Sequence, residues 1–220
     1  MSDEPHWIIL DRLELPGRSE TEAAAVLDAL ASRYRAVRGV LDVQCWHAVS
    51  AVTRVSILNP AYRADPGTGT EYLLLCDLES PAVREAAIAA VTIDDTWPPG
   101  WAHARRWAGE QLIPGRLVAP DEARGLMTIY MRPPASLEEE FNAWYNTEHI
   151  PTLSALPGCL GGRRFRSPDA PKPYVAMYHL ADPSICGTAL WRETATTPWT
   201  ARVSRLNSVV APDRVVYARV

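Results

Sequence analysis

Leu126-Met127-Thr128-Ile129-Tyr130 and, after a helical stretch, Gly158-Cys159-Leu160-Gly161-Gly162-Arg163-Arg164-Phe165 repeat the order of Trp7-Ile8-Ile9-Leu10 and Gly39-Val40-Leu41-Asp42-Val43-Gln44-Cys45-Trp46. In both pairs a short apolar run reads as a strand, a helix follows, and a glycine opens a second strand. The strand starts (7 and 126) and the glycines (39 and 158) are each 119 positions apart, so strand, helix and second strand align without a gap. Farther on, Tyr72-Leu73-Leu74-Leu75-Cys76-Asp77-Leu78-Glu79-Ser80-Pro81 matches Tyr174-Val175-Ala176-Met177-Tyr178-His179-Leu180-Ala181-Asp182-Pro183 at an offset of 102. The loop before that third strand is therefore longer in the first half. Each half then has a short helical stretch with a late tryptophan (Trp97, Trp199) and closes on a strand, Leu112–Val118 or Val210–Tyr217.

The order β-α-β-β-α-β in each half is the ferredoxin-like, or split βαβ, arrangement. One face of such a sheet is covered by its own helices. The other is apolar and needs a cover, which a second sheet supplies. The expected fold is α+β: two tandem ferredoxin-like modules, 1–119 as a scaffold copy and 120–220 as the module with the site, closing an intramolecular dimeric α+β barrel. The polar stretch Ala119–Gly125 is the linker. Since the chain carries its own partner, a monomer is expected, or a dimer through a surface other than the paired sheets.

Hydrophobic residues make up 47 % and charged residues 22 % of 220, the mix of a soluble globular protein with a substantial core. A net charge of -4 with scattered basic residues gives no draw to nucleic acid or acidic lipid. The acidic start and the short apolar run after it resemble no signal peptide, and no stretch approaches the roughly 20 residues that span a bilayer. Cys45, Cys76, Cys159 and Cys186 form no CxxC pair. Reduced thiols in a cytoplasmic protein are expected. There is no GxGxxG, Walker or GxSxG motif, no haem or flavin signature, and no HxH or HxxxH pair, so no cofactor and no metal are expected. Trp, at 8 against 2 Phe, suits a roomy apolar cleft.

Ser136-Leu137-Glu138-Glu139-Glu140-Phe141-Asn142-Ala143-Trp144-Tyr145-Asn146-Thr147-Glu148-His149-Ile150-Pro151 carries the candidate chemistry. Ser136 and Glu139 have capping-box spacing, the glutamates crowd the first turn, and Pro151 is expected to end or kink the helix at Ile150. Helical spacing puts Asn142, Tyr145 or Asn146, and His149 along one face, with Phe141, Trp144 and Glu148 beside them. An imidazole titrating near neutrality with a phenol and amides has the parts of a proton-transfer site. At the offset of 119, Asn142, Trp144, Tyr145, Glu148 and His149 fall on Ala23, Ala25, Val26, Ala29 and Leu30. The fold does not need these polar groups, which singles out the second module.

The run Glu140–Pro151 followed by Leu156-Pro157-Gly158-Cys159-Leu160-Gly161-Gly162-Arg163-Arg164-Phe165 resembles the signature of EthD-like proteins, members of the dimeric α+β barrel superfamily. The resemblance implies a cleft between helix and sheet for small, often aromatic or polyketide-like molecules. It also implies that a His and a Tyr carry acid–base chemistry, for which His149 and Tyr145 are the matching positions. Known activities of the superfamily include cofactor-free monooxygenation, lactone isomerisation, and polyketide cyclisation and dehydration.

Three further groups complete the reading. His179 is a substrate-binding candidate if it faces His149 across the cleft, and otherwise ends its strand at solvent. Trp144, Asn142 and Asn146 are the other substrate-binding candidates. Arg163, Arg164 and Arg166 are expected on an exposed edge strand, where one of them could clamp a carboxylate. His103, Arg105, Arg106 and Trp107 are expected on a surface segment. The functional expectation is a cofactor-independent lyase or isomerase (dehydratase or cyclase type) acting on a small, oxygenated, largely apolar molecule. In it, His149 moves the proton and Tyr145 steadies the enolate or phenolate. Its alternatives are a cofactor-free monooxygenase of the same fold and a non-catalytic small-molecule-binding protein.

Overall fold

The computed structural model describes residues 6–49, 70–92, 103–113, 115, 118–206 and 213–220. The first module runs β1 (Trp7–Glu14), α1 (Glu20–Arg35), β2 (Val40–Ala48), β3 (Glu71–Leu78), α2 (Pro81–Ala90) and β4 (His103–Gln111). The second runs β5 (Gly125–Met131), α3 (Glu138–Trp144), a π-turn (Tyr145–His149), α4 (Ile150–Ser154), β6 (Cys159–Arg166), β7 (Tyr174–Leu180), α5 (Ala189–Ala195), α6 (Pro198–Leu206) and β8 (Asp213–Arg219). All strand pairs are antiparallel, and the strands close in the order β1-β3-β2-β8-β5-β7-β6-β4. Each module thus contributes four adjacent strands, and the seams β2–β8 and β4–β6 exchange equivalent edges of the two modules. The expected tandem α+β barrel is present.

Alternation sorts the side chains into three layers. Ile8, Leu10, Leu73, Leu75, Trp46, Phe165, Val175, Met177 and Tyr217 fill the barrel. Ile9, Leu74, Cys76 and Val43 meet Leu27, Leu30 and Tyr34 of α1 outside it. On the second module Met127, Met131, Ala176 and Tyr178 meet Phe141, Trp144, Tyr145 and Trp191. Among the described residues no helix is long and apolar enough to cross a membrane.

Several boundaries differ from expectation. The first closing strand is His103–Gln111, upstream of the expected Leu112–Val118, so the supposed surface segment is β4, with Trp107 buried and Arg106 half-buried. Its polar sequence is explained below by a carboxylate waiting under Arg106. The second closing strand starts at Asp213, and residues 210–212 of the expected strand lie outside the described residues, as does Trp97. β6 is no edge strand, because it is paired on one side with β7 and on the other with β4. Arg163 and Arg164 are accordingly buried.

The repeat itself needs one correction. Trp7 pairs with Leu78 and Gly125 with Leu180. Leu78 and Leu180 are 102 apart, as expected, so Trp7 corresponds to Gly125, an offset of 118 and not 119. A slip of one flips every side chain to the other face: Ile8 points into the barrel, whereas Met127, 119 later, points to the helices. Gly39 and Gly158 do correspond at 119, both with positive φ (92° and 82°) in the turn into β2 or β6. One residue has therefore been inserted between β5 and Gly158, and the π-turn holds it. Before the turn, Phe141 and Tyr145 take the places of Ala23 and Leu27. After it, His149, Ile150 and Leu153 take those of Leu30, Ala31 and Tyr34.

Inside the barrel, Arg163 of β6 donates to Asp77 of β3 at 2.5 Å, both with 1 % or less of the side chain exposed. Asp77 also accepts from the backbone N–H of Ala119 at 3.1 Å. The pair joins one module to the other. Removing one member of a buried pair typically costs about 3–5 kcal/mol, whereas apolar replacement of both is far milder. Asp77→Ala is expected to lower the unfolding free energy from urea titrations by an amount in that range, and Asp77→Leu with Arg163→Met to recover most of it.

Candidate active site

The helix over the second sheet is built differently from its sequence reading. Ala135–Leu137 form a 3-10 turn, with no side-chain cap from Ser136, and the helix continues through Pro151 to Ser154. The π-turn accounts for the continuation. The N–H of Ile150 donates to the carbonyl of Tyr145, five residues back. In this wider turn the missing N–H of Pro151 is accommodated without breaking the helix. Thr147 Oγ1 donates to the carbonyl of Ala143 at 2.8 Å. Tyr145 is buried and Asn146 and Thr147 are exposed, so the turn is the wall between the site and solvent. On the inner side α4 sits tightly on β6, since a Cβ on Gly162 would lie 2.5 Å from Ser154 Oγ.

His149 lies half-buried in an aromatic box. Its ring centroid is 4.3 Å from that of Trp144, 5.2 Å from Tyr145 and 6.4 Å from Tyr178, the last two edge-on. Burial, helped by the charge of Arg214, pulls its pKa down from 6.5 to about 3. The imidazole is therefore neutral at neutral pH, with a free lone pair but weak basicity until negative charge develops beside it. The Tyr145 hydroxyl donates to the sulfur of Met131 at 3.0 Å. Burial raises the pKa values of Tyr145 and Tyr178, against the opposing charges of Arg164 and Arg214, so both hydroxyls stay protonated donors. The Tyr178 hydroxyl is buried with no hydrogen-bond partner among the described residues.

Arg164, fully buried, is the group that sequence reasoning misplaced. Its Nη1 donates to Asn146 Oδ1 and its Nη2 to Asn142 Oδ1, each at 2.6 Å. Its guanidinium lies 5.0, 4.7 and 4.9 Å from the ring centroids of Phe141, Tyr145 and Tyr174. Asn142 in turn donates to Tyr174 Oη at 3.2 Å, and Tyr174 donates to Glu138. Burial pulls the Arg164 pKa down to about 10, which leaves it charged at neutral pH. Arg214, the other cation here, donates from Nε to the sulfur of Met127 at 2.9 Å, and burial lowers its pKa.

The structure thus brings His149, Tyr145, Asn142, Asn146 and Trp144 together, the two asparagines as props for Arg164. Glu148 turns away and accepts from Thr197 Oγ1 at 2.5 Å, next to Thr200, which accepts from Trp144 Nε1. His179 lies elsewhere. It alternates with Val175 and Met177 on the barrel side of β7, while Tyr174, Ala176 and Tyr178 face the helix, so the sheet separates it from His149. Tyr178, Arg214, Met131 and Trp191 were not singled out by sequence. The polar members of that set lie on strands, at positions that alternation assigns to a face but not to a site. Among the described residues no three His, Cys, Asp or Glu side chains are grouped to hold a metal ion.

The first module gives the comparison. Arg106 is across the ladder from Asp11, and Arg214 is across from Ile129 at the equivalent place. Arg106 donates to Asp11 at 2.7 and 2.8 Å and to Tyr34 Oη at 2.9 Å, and Tyr34 donates to Asp11 at 2.5 Å. This network is closed. In the second module Ile129 replaces the carboxylate, Leu153 replaces Tyr34, and Arg164 stands where the first has Cys45.

No family model matches the chain, and no curated protein matches it in sequence. Solved structures do. Similar ones include a protein of Fusobacterium nucleatum provisionally named a monooxygenase (TM-score 0.63, 9 % identity, 99 % of this chain and 94 % of that one). An anthrone oxidase-like protein matches with a TM-score of 0.56 and 11 % identity over 99 % and 92 %. A chlorite dismutase from Candidatus Nitrospira defluvii matches with a TM-score of 0.62 and 8 % identity over 100 % and 92 %. At such identities the likeness establishes the fold, a dimeric α+β barrel over the full chain, and it does not carry the EthD-like resemblance.

The His149 shift has a consequence for stability. Between about pH 3 and 6.5 the unfolded chain holds a proton on this group that the folded one does not. Its contribution to stability is complete above about 6.5 and is lost as pH falls toward 3. His149→Leu, which installs the residue of the first module, is expected to flatten the acid limb of a urea-midpoint profile relative to the parent.

Proposed function

We propose that the protein is a cofactor-independent enzyme that removes a proton from a small, oxygenated, largely apolar molecule and holds the resulting enolate or phenolate. The reading belongs to lyase or isomerase chemistry, dehydration or cyclisation. The observation that carries it is the neutral His149 imidazole boxed by Trp144, Tyr145 and Tyr178 beside the buried charges of Arg164 and Arg214. His149 accepts the proton. The Tyr145 hydroxyl, now held by a thioether (a weak acceptor), turns to the new oxyanion, which is a far stronger one. The arginines favour negative charge that grows during the step, so stabilisation is greatest after the proton has left. The EthD-like motif supports the same assignment of His149 and Tyr145.

A second reading, cofactor-free monooxygenation, starts from the same deprotonation and adds dioxygen to the carbanion. It is favoured by the names of the similar structures, a provisional monooxygenase and an anthrone oxidase-like protein.

Deuterium exchange at the methylene of anthrone, followed by NMR, measures the shared step without assuming its outcome. His149→Gln is expected to lose roughly 10²–10⁴ of the exchange rate, a typical loss for one general base, with little change in melting temperature. Leu30→Ala, its counterpart in the scaffold module, is expected to cost about 2–5 kcal/mol of stability and no exchange activity. Retained exchange in His149→Gln would remove the proposal. Oxygen uptake coupled to exchange would select the monooxygenase reading, and its absence the lyase or isomerase reading.

A further inference from the structure

Arg164 is a fully buried cation with no carboxylate within ion-pair distance among the described residues. Arg163, the other fully buried arginine, has Asp77, and the half-buried Arg12 and Arg106 have Glu71 and Asp11. A buried charge is normally paired. Asn142 and Asn146 occupy one donor on each terminal nitrogen of Arg164 and lock the fork in place. Among the described residues the Nε–H stays buried without a partner, and so does the hydroxyl of Tyr178. Arg164 is paired with Ala176, two residues before Tyr178 on the neighbouring strand, so both orphans lie on the helix-covered side of β6 and β7, with the Tyr145 ring 4.7 Å from the guanidinium. Two further donors beside them, Tyr145 Oη and Arg214 Nε, rest on the methionine sulfurs of Met131 and Met127.

Of these, Arg164 Nε–H, Tyr178 Oη and Tyr145 Oη, unpartnered among the described residues or set on a weak acceptor, describe a complement for an anionic oxygen group. A guanidinium with its Nε–H free presents the side-on fork that fits a carboxylate. The first module shows the same layer with the anion supplied by the protein, as Asp11. At the position of Arg164 the first module has Cys45, so the buried cation is particular to the second module.

Resting on the reading of this layer as the substrate site, we infer that the substrate is itself a carboxylate, an aromatic or polyketide-like acid. Its carboxylate seats on Arg164 and Tyr178, and its ring system lies against Trp144 and His149. Arg164 is thus a specificity-determining residue. The aromatic faces that wrap its guanidinium keep the charge dry, so a neutral isostere loses much of the attraction that an acid gains.

Calorimetric titration of the whole chain with 1-naphthoate and with 1-naphthamide, equal in shape and unequal in charge, tests this. The acid is expected to bind at least about tenfold more tightly, a difference a single charge-assisted hydrogen bond supplies. Arg164→Met is expected to abolish the preference, and to raise the melting temperature of the ligand-free protein because it removes an uncompensated buried charge. Tyr178→Phe, which changes little else, is expected to weaken the acid severalfold and the amide less, narrowing the preference, and it serves as the second variant should Arg164→Met misfold. Equal or absent binding of acid and amide overturns the inference, as does an acid preference that survives Arg164→Met and Tyr178→Phe. His149→Gln separates the two readings: a preference for acid over amide that persists, whatever absolute affinity the altered ring contact leaves, together with lost anthrone exchange is the expected result. Acid preference with exchange unaffected by His149→Gln leaves the carboxylate seat standing and removes the enzymatic proposal.

Discussion

Each four-stranded sheet has two apolar faces and only enough helix to cover one, and every other feature of the molecule follows from that shortage. Facing the sheets covers the second face, and joining β2 to β8 and β4 to β6 leaves no open edge. Closure also fills the space between them. Charged groups caught there are paired, Asp77 with Arg163 and Glu71 with Tyr217 across the module boundary, and Glu71 with Arg12 within the first module. The barrel interior is thus committed to holding the halves together. The outer layers, where a helix meets a sheet, are where a wall can be altered without opening the core.

The two outer layers have diverged in opposite directions. In the first, a carboxylate, an arginine and a tyrosine satisfy one another, and the helix above contributes Ala23, Leu27 and Leu30. In the second an isoleucine stands in place of that carboxylate, two arginines and three tyrosines lie in the layer, and an inserted residue widens the helix at the place where His149 and Tyr145 enter. A π-turn in a helix is a strained and uncommon device, and those observed concentrate at functional sites. Here it does two jobs. It keeps Tyr145 and His149 both turned toward the sheet, and it carries the helix past Pro151.

The order of elements was legible because apolar runs, glycines and Tyr72–Pro81 against Tyr174–Pro183 recur in sequence. The asymmetry between the helices was legible for the same reason. What was not legible depended on partners distant in the chain. β5 is buried on both faces, so its apolar run carries no alternation, and an offset of 119 looked as good as 118. Arg164 reads as a surface residue until β4 covers the free side of β6. Arg106 reads likewise until Asp11, 95 residues earlier, is seen beneath it. His179 alternates correctly in sequence, but which face of β7 meets the helix is decided by the packing of Tyr174 and Tyr178 under Phe141 and Trp191.

Covalent fusion of the halves changes the mass action of the assembly. A barrel made from two separate chains dissociates on dilution, and an interface lost that way takes its binding layers with it. Here the seams are intramolecular, and the local concentration of one half about the other is set by the short connection between β4 and β5, not by how much protein is present. An asymmetric site can then persist at arbitrarily low abundance. The altered half, with its unneutralised cation, is never left to pair with another altered half.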